Sequence, residues 1–118
     1  VSRKSRQRQN SDLGFVSVRV MADYGSSGLW LTYPPGWYGS SGISCEALRL
    51  PAALSSRFAA WIETYVCQTK KTFDPEAFNR TGRELAQALK EHLGPQSYVE
   101  FVPEPQNDDD AIEIEIIE

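Results

Sequence analysis

One histidine, two cysteines and a run of three aspartates are the plainest reactive groups in this chain, and no local pattern assembles them into a catalyst. His92 falls in the last turn of a helical stretch that stops at Gly94-Pro95, where an imidazole meets the negative end of the helix dipole. Cys45 and Cys67 are too far apart for a Cys-x-x-Cys metal or redox motif. Cys67 reads as a small apolar residue in a helix and Cys45 as a loop residue, with a single disulfide as the alternative. A nucleophilic Cys–His pair forms in space rather than in sequence, and no local signature marks one here. Asp108, Asp109 and Asp110 lie in a polar linker without the rigid support that acid–base work or cation binding requires. The turn Tyr-Gly-Ser-Ser-Gly occurs at 24–28 and at 38–42, and neither copy has the lysine and following helix of a phosphate cradle. The expectation is a non-enzymatic protein with no metal and no cofactor.

Binding is better represented than chemistry. Tyr24, Trp30, Tyr33, Trp37 and Tyr38 crowd into one glycine- and proline-rich stretch. Large rigid rings beside Ser and Gly give contact area at little conformational cost, which is the composition of adaptable protein-binding surfaces. The alternative is that Tyr24 and Trp30 close the core and only Trp37 and Tyr38 stand out. Charge is also unevenly spread: residues 1–10 hold four bases and no acid, residues 100–118 hold eight acids and no base, and the stretch between them is balanced. After the aspartates, Ile112, Ile114 and Ile116 alternate with Glu113 and Glu115. Such a segment either adds a strand to a partner's sheet or forms the edge of its own sheet, where its acids discourage aggregation. The candidate partner-binding residues are therefore Tyr24, Trp30, Tyr33, Trp37, Tyr38, Asp108, Asp109, Asp110, Glu113 and Glu115.

These residues must be positioned by one small core. A chain of 118 residues buries about two-thirds of its unfolded surface, enough for a single domain. The expected division is a basic arm over 1–13, a domain over 14–103 and an acidic end over 104–118. No run approaches the roughly 18 apolar residues of a membrane span, so a soluble, cytoplasmic protein is expected. Val16, Val18 and Val20 alternate with Ser17 and Arg19, the period of a half-buried strand. Leu29 to Tyr33 follows as a second, edge strand, stopped by Pro34-Pro35. Leu54, Phe58, Trp61, Ile62, Tyr65 and Val66 paint one stripe on a helix running from Pro51 to about Lys70. Asp74, Pro75 and the pair Phe73/Phe78 then mark a helix start by cap, first-turn proline and hydrophobic staple. That helix carries Gly82 in its buried stripe, which points to a close crossing. Ser97 to Val102 is a further strand, with the Ile/Glu segment as an optional last one. The fold class is α+β: a small antiparallel sheet of three or four strands, order ββααβ(β), with two antiparallel helices on one face.

Ala22-Asp23-Tyr24, Gly28-Leu29-Trp30, Arg57-Phe58 with Trp61 and Tyr65, and Gly82-Arg83-Glu84-Leu85-Ala86 with Leu89, Leu93 and Gly94 form a pattern. It resembles a family of small bacterial proteins with the signature "ADY…GLW", "RL…W…Y" and "GR.LA..L…LG", over about residues 16–102. The resemblance implies a bacterial source and assigns no activity, cofactor or catalytic residue. The leading reading is an immunity-like protein that binds and neutralises a basic protein partner through its aromatic turns and acidic end, with encounter speeded by opposite charge. The runner-up is a small enzyme or enzyme accessory using Cys45, Cys67 or Asp23 beneath the aromatic loop. A third is a regulatory domain whose basic N-terminal arm touches nucleic acid.

Overall fold

Alternation of β-branched residues places the first strand, β1, at Ser17–Val20, and the chain turns back at once into β2 at Leu29–Leu31. The computed structural model describes residues 16–32, 41–68, 73–105 and 113–118. Along them follow β3 (Ser41–Gly42), helix α1 (Ala52–Val66), helix α2 (Pro75–Leu93), β4 (Tyr98–Phe101) and β5 (Glu115–Ile117). The strands form one sheet in the order β3-β2-β1-β4-β5.

The fold is α+β with the expected elements in the expected order plus one short added strand, β3, and the sheet of five strands is mixed rather than antiparallel. β1 pairs antiparallel with β2 and parallel with β4, Val18 lying beside Val99 and Val20 beside Phe101. Both helices intervene between β1 and β4, and a crossover of that length is what parallel neighbours require. Centrality also corrects the half-buried expectation for β1. Val18 and Val20 are fully buried on one face, and Ser17 and Arg19 are buried on the other. Nor is β2 an edge strand, because Ser41–Gly42 pairs outside it, with Trp30 opposite Gly42.

The helices cover the face that carries Val18, Val20, Leu29, Val99 and Phe101. In α1 the stripe Leu54, Phe58, Trp61 and Ile62 is buried, whereas Val66 is exposed and the helix ends there, short of the expected Lys70. Cys67 becomes the C-cap and is exposed, so it lies just past the helix rather than within it as expected, while Cys45 packs against the core; both are free thiols. α2 begins as its sequence requires. The Asp74 carboxylate accepts from the Glu76 and Ala77 N–H groups at 3.0 and 3.2 Å, and Phe73 meets Phe78 with ring centroids 5.2 Å apart.

Two glycines let the layers meet. A Cβ at Gly82 would lie 2.5 Å from the Phe101 ring and 2.8 Å from Trp61, so α2 crosses both the sheet and α1 at a distance no other residue allows. At Gly28 a Cβ would meet Ile62 and Trp61 at 3.1 and 3.2 Å, and its φ of +86° is one that L side chains rarely adopt. Trp61 sits between these contacts, stacked on Phe78 at 4.7 Å, with its indole N–H donating to the Phe78 carbonyl at 3.0 Å.

Candidate partner-binding surface

Because β1 and β4 run parallel, the segments that leave them emerge at the same end of the sheet. Asp23 follows β1 and Glu104 follows β4. The Asp23 turn is held by its own polar groups: its carboxylate accepts the Tyr24 N–H at 2.8 Å, and its carbonyl accepts the Ser26 hydroxyl at 2.8 Å. Glu104 is held from α2. The amide of buried Asn79 donates to the Glu104 carbonyl at 2.9 Å and accepts its N–H at 2.8 Å. Both carboxylates are thus fixed through their main chains.

Aromatic rings complete the corner. Tyr24 is 62% exposed and leans on Tyr65 of α1, with centroids 5.0 Å apart, and Tyr65 continues into Phe73 and Phe78. The Tyr65 hydroxyl donates to the Glu104 carboxylate. Burial, followed by the charge of Glu104 and the neighbouring Tyr24 and Asp23, pushes the Tyr65 phenol up to about 12, so it remains a donor at neutral pH. Burial likewise raises the Glu104 carboxyl; the Tyr65 hydrogen bond opposes that shift, and the Asp23 charge adds to it. An exposed ring backed by a second ring and flanked by two carboxylates suits a cationic or amphipathic side chain presented by a partner.

The candidate residues from the sequence are distributed as follows. Tyr24 lies in this corner. Trp30 is half-buried on the sheet face away from the helices; its indole N–H donates to the Met21 carbonyl at 2.9 Å and its ring lies against Gly42. Glu113 is exposed, and Glu115 receives a bidentate contact from Arg83 of α2, both bonds 2.7 Å. That contact raises the Arg83 pKa and keeps the guanidinium charged. Tyr33, Trp37, Tyr38, Asp108, Asp109 and Asp110 lie outside the described residues. Of the two expectations for the C-terminal segment, the edge of its own sheet is the one observed, with Ile117 opposite Val99. Tyr65, Glu104 and Arg83 were missed as site residues. The signal that could have found Glu104 is the parallel pairing of β1 with β4, which no local pattern encodes.

Two further features bear on chemistry. On the helix-free face, Arg19 Nε donates to Glu100 Oε2 at 3.1 Å, both side chains being buried, and Glu100 Oε1 is buried without a hydrogen-bond partner among the described residues. Beside Arg19, Ser17 and Thr32 share a buried hydroxyl contact of 2.7 Å. Between α1 and α2 runs a groove of about 620 Å³ floored by Trp61 and Phe78. Among the described residues Cys67 lines it, whereas Cys45, His92 and Asp23 do not. His92 instead faces the Leu48 carbonyl at 3.4 Å, and burial raises the Cys45 thiol pKa. No group of three or more potential metal ligands occurs among the described residues, and no described helix is long and apolar enough to cross a membrane.

Among curated proteins none matches the chain. A family described as Serratia CdiI immunity protein-like matches residues 16–104, from the residue before β1 to Glu104 beyond β4. That span is most of the chain and takes in every described strand and helix except β5, and the chain belongs to this family.

Proposed function

We propose that this chain is an immunity protein that binds a basic protein toxin and holds it inactive, with the acid-rich end of the sheet as the contact surface. The family match over residues 16–104 carries this reading. The corner of Tyr24, Tyr65, Asp23 and Glu104 supports it, as does the base-free segment 100–118. A negative surface speeds encounter with a positive one, while exposed aromatic rings slow release by excluding water around the contact. In this reading the chain turns over no substrate and acts by occupancy.

The test is a search of the reading frames around this chain's gene for a basic toxin domain, co-expression with that candidate, and titration calorimetry of the purified pair. A stable complex that abolishes toxicity is expected. Tyr24→Ala should weaken binding by about tenfold or more, the range of an exposed aromatic anchor. Failure of the two purified proteins to associate would end the proposal. A complex indifferent to Tyr24→Ala would move the contact away from this corner.

A further inference from the structure

Hydrogen bonding along β4 fixes which groups of β5 face outward. The Tyr98 and Val102 N–H groups donate to the Val16 and Val20 carbonyls of the β1 side at 2.7 and 2.9 Å. Alternation then turns Val99 and Phe101 toward β5, where they lie opposite Ile117 and Glu115. Ile116, opposite Glu100, directs its own N–H and C=O away from the sheet. Its side chain is 59% exposed beside those groups, one of four large apolar side chains left exposed among the described residues.

We propose that this outer edge of β5 receives an extended segment of the basic protein partner, which adds a sixth strand by main-chain pairing at Ile116. The proposal rests on the protein-partner reading above and names how that partner is engaged. Three observations carry it. First, the edge is held ready: Arg83 grips Glu115 from α2, and Ile117 packs against the core, so little ordering cost falls on binding. Second, it lies at the end of the sheet opposite β3, whose described residues are only Ser41 and Gly42. Third, the charge around it selects the occupant. Glu113 and Glu118 flank the strand, and residues 100–118 hold eight acids and no base. A second copy of the chain would bring two such segments together, whereas a lysine- or arginine-bearing strand is attracted to one.

Ile116→Pro isolates the effect, because it deletes an outward N–H while leaving the groups that Glu115 and Ile117 turn to β4. Binding of the purified toxin domain found by the search above, read by calorimetry, should weaken about tenfold, as expected for one or two lost main-chain hydrogen bonds. The Glu115 and Ile117 amides should keep their exchange protection in the free variant. In the wild-type complex, hydrogen exchange at the Ile116 amide should slow, a measurement that needs no variant. A wild-type complex with unchanged Ile116 exchange, or with Ile116→Pro binding as tightly, overturns the strand and leaves the immunity reading standing. Ile116 protection that grows with the concentration of the free chain overturns it in favour of self-pairing. No wild-type complex at all removes both proposals.

Discussion

Two arginine–glutamate pairs stand on opposite faces of the same sheet, and the better-formed one is the less consequential. Arg83 and Glu115, on the helix side, meet by two bonds of 2.7 Å with side chains 47% and 34% exposed. Arg19 and Glu100, on the other side, meet by a single bond of 3.1 Å with side chains 6% and 0% exposed, and one oxygen of Glu100 has no hydrogen-bond partner among the described residues. Geometry alone would rank the first pair higher. Solvent reverses the order, because an exposed pair exchanges one set of hydrated charges for another, whereas a buried charge that loses its partner cannot regain water. The lesson concerns position in the sheet. Arg19 and Glu100 sit on adjacent central strands, and Glu115 sits on an edge.

The sharpest way to break this comparison is Glu100→Ala, which removes the carboxylate facing the buried Arg19 guanidinium. It should cost about 2 kcal/mol in urea unfolding, the range for a lost hydrogen bond to a charged group, because the Arg19 side chain keeps a contact besides Glu100. Arg19→Met combined with Glu100→Leu should recover part of that loss, because neither desolvated charge remains. A double variant as unstable as the single one would show that the pair contributes more than its desolvation costs.

Much of the helix layer was legible in the sequence because its signals are local. Asp74, Pro75, Phe73 and Phe78 lie within six consecutive residues and specify one another, and Gly82 in a buried stripe announced a close crossing before any partner was known. The sheet was less legible. Residues 17–20 alternate whether the neighbour runs parallel or antiparallel, and whether one face is covered or both, so the spacing said nothing of β4 lying beside β1. The C-terminal alternation of Ile and Glu was similarly silent about which face is buried. Register puts Ile117 against the core and Ile116 in water. Of the site, Tyr24 was visible as an aromatic beside a turn. Its backing by Tyr65 and Glu104 was not, since those residues come from α1 and from the segment after β4.

A smaller effect sharpens the comparison from the exposed side. Glu115→Ala should lower global stability by about 0.5 kcal/mol, the range of exposed ion pairs. That difference should shrink further in about 1 M salt, where the screening length falls to about 3 Å. The Glu100→Ala loss should hold in the same buffer. Local stability should respond more than global stability does: exchange at the Glu115 and Ile117 amides should quicken in Glu115→Ala while β1 and β4 amides hold, because β5 is an edge strand and can open alone. Parallel salt dependence of the two variants would mean that both pairs feel solvent alike, against their difference in burial.

Between these extremes lies Glu104, half-buried and hydrogen-bonded to Tyr65, and it carries the smallest expected effect. Its carboxyl is raised in the folded protein, with burial as the first cause, so the folded state binds this proton more tightly than the unfolded chain does. The stability it contributes is present below the ordinary carboxylate value of about 4.3 and is lost as pH rises from there through the raised folded value. Glu104→Gln keeps an acceptor for the Tyr65 hydroxyl and has no proton to lose. Across that window the unfolding free energy of the variant should therefore gain on that of the parent, and above it the difference should stay constant. A difference that runs the other way would mean that the phenol stabilises the carboxylate more than burial disfavours it.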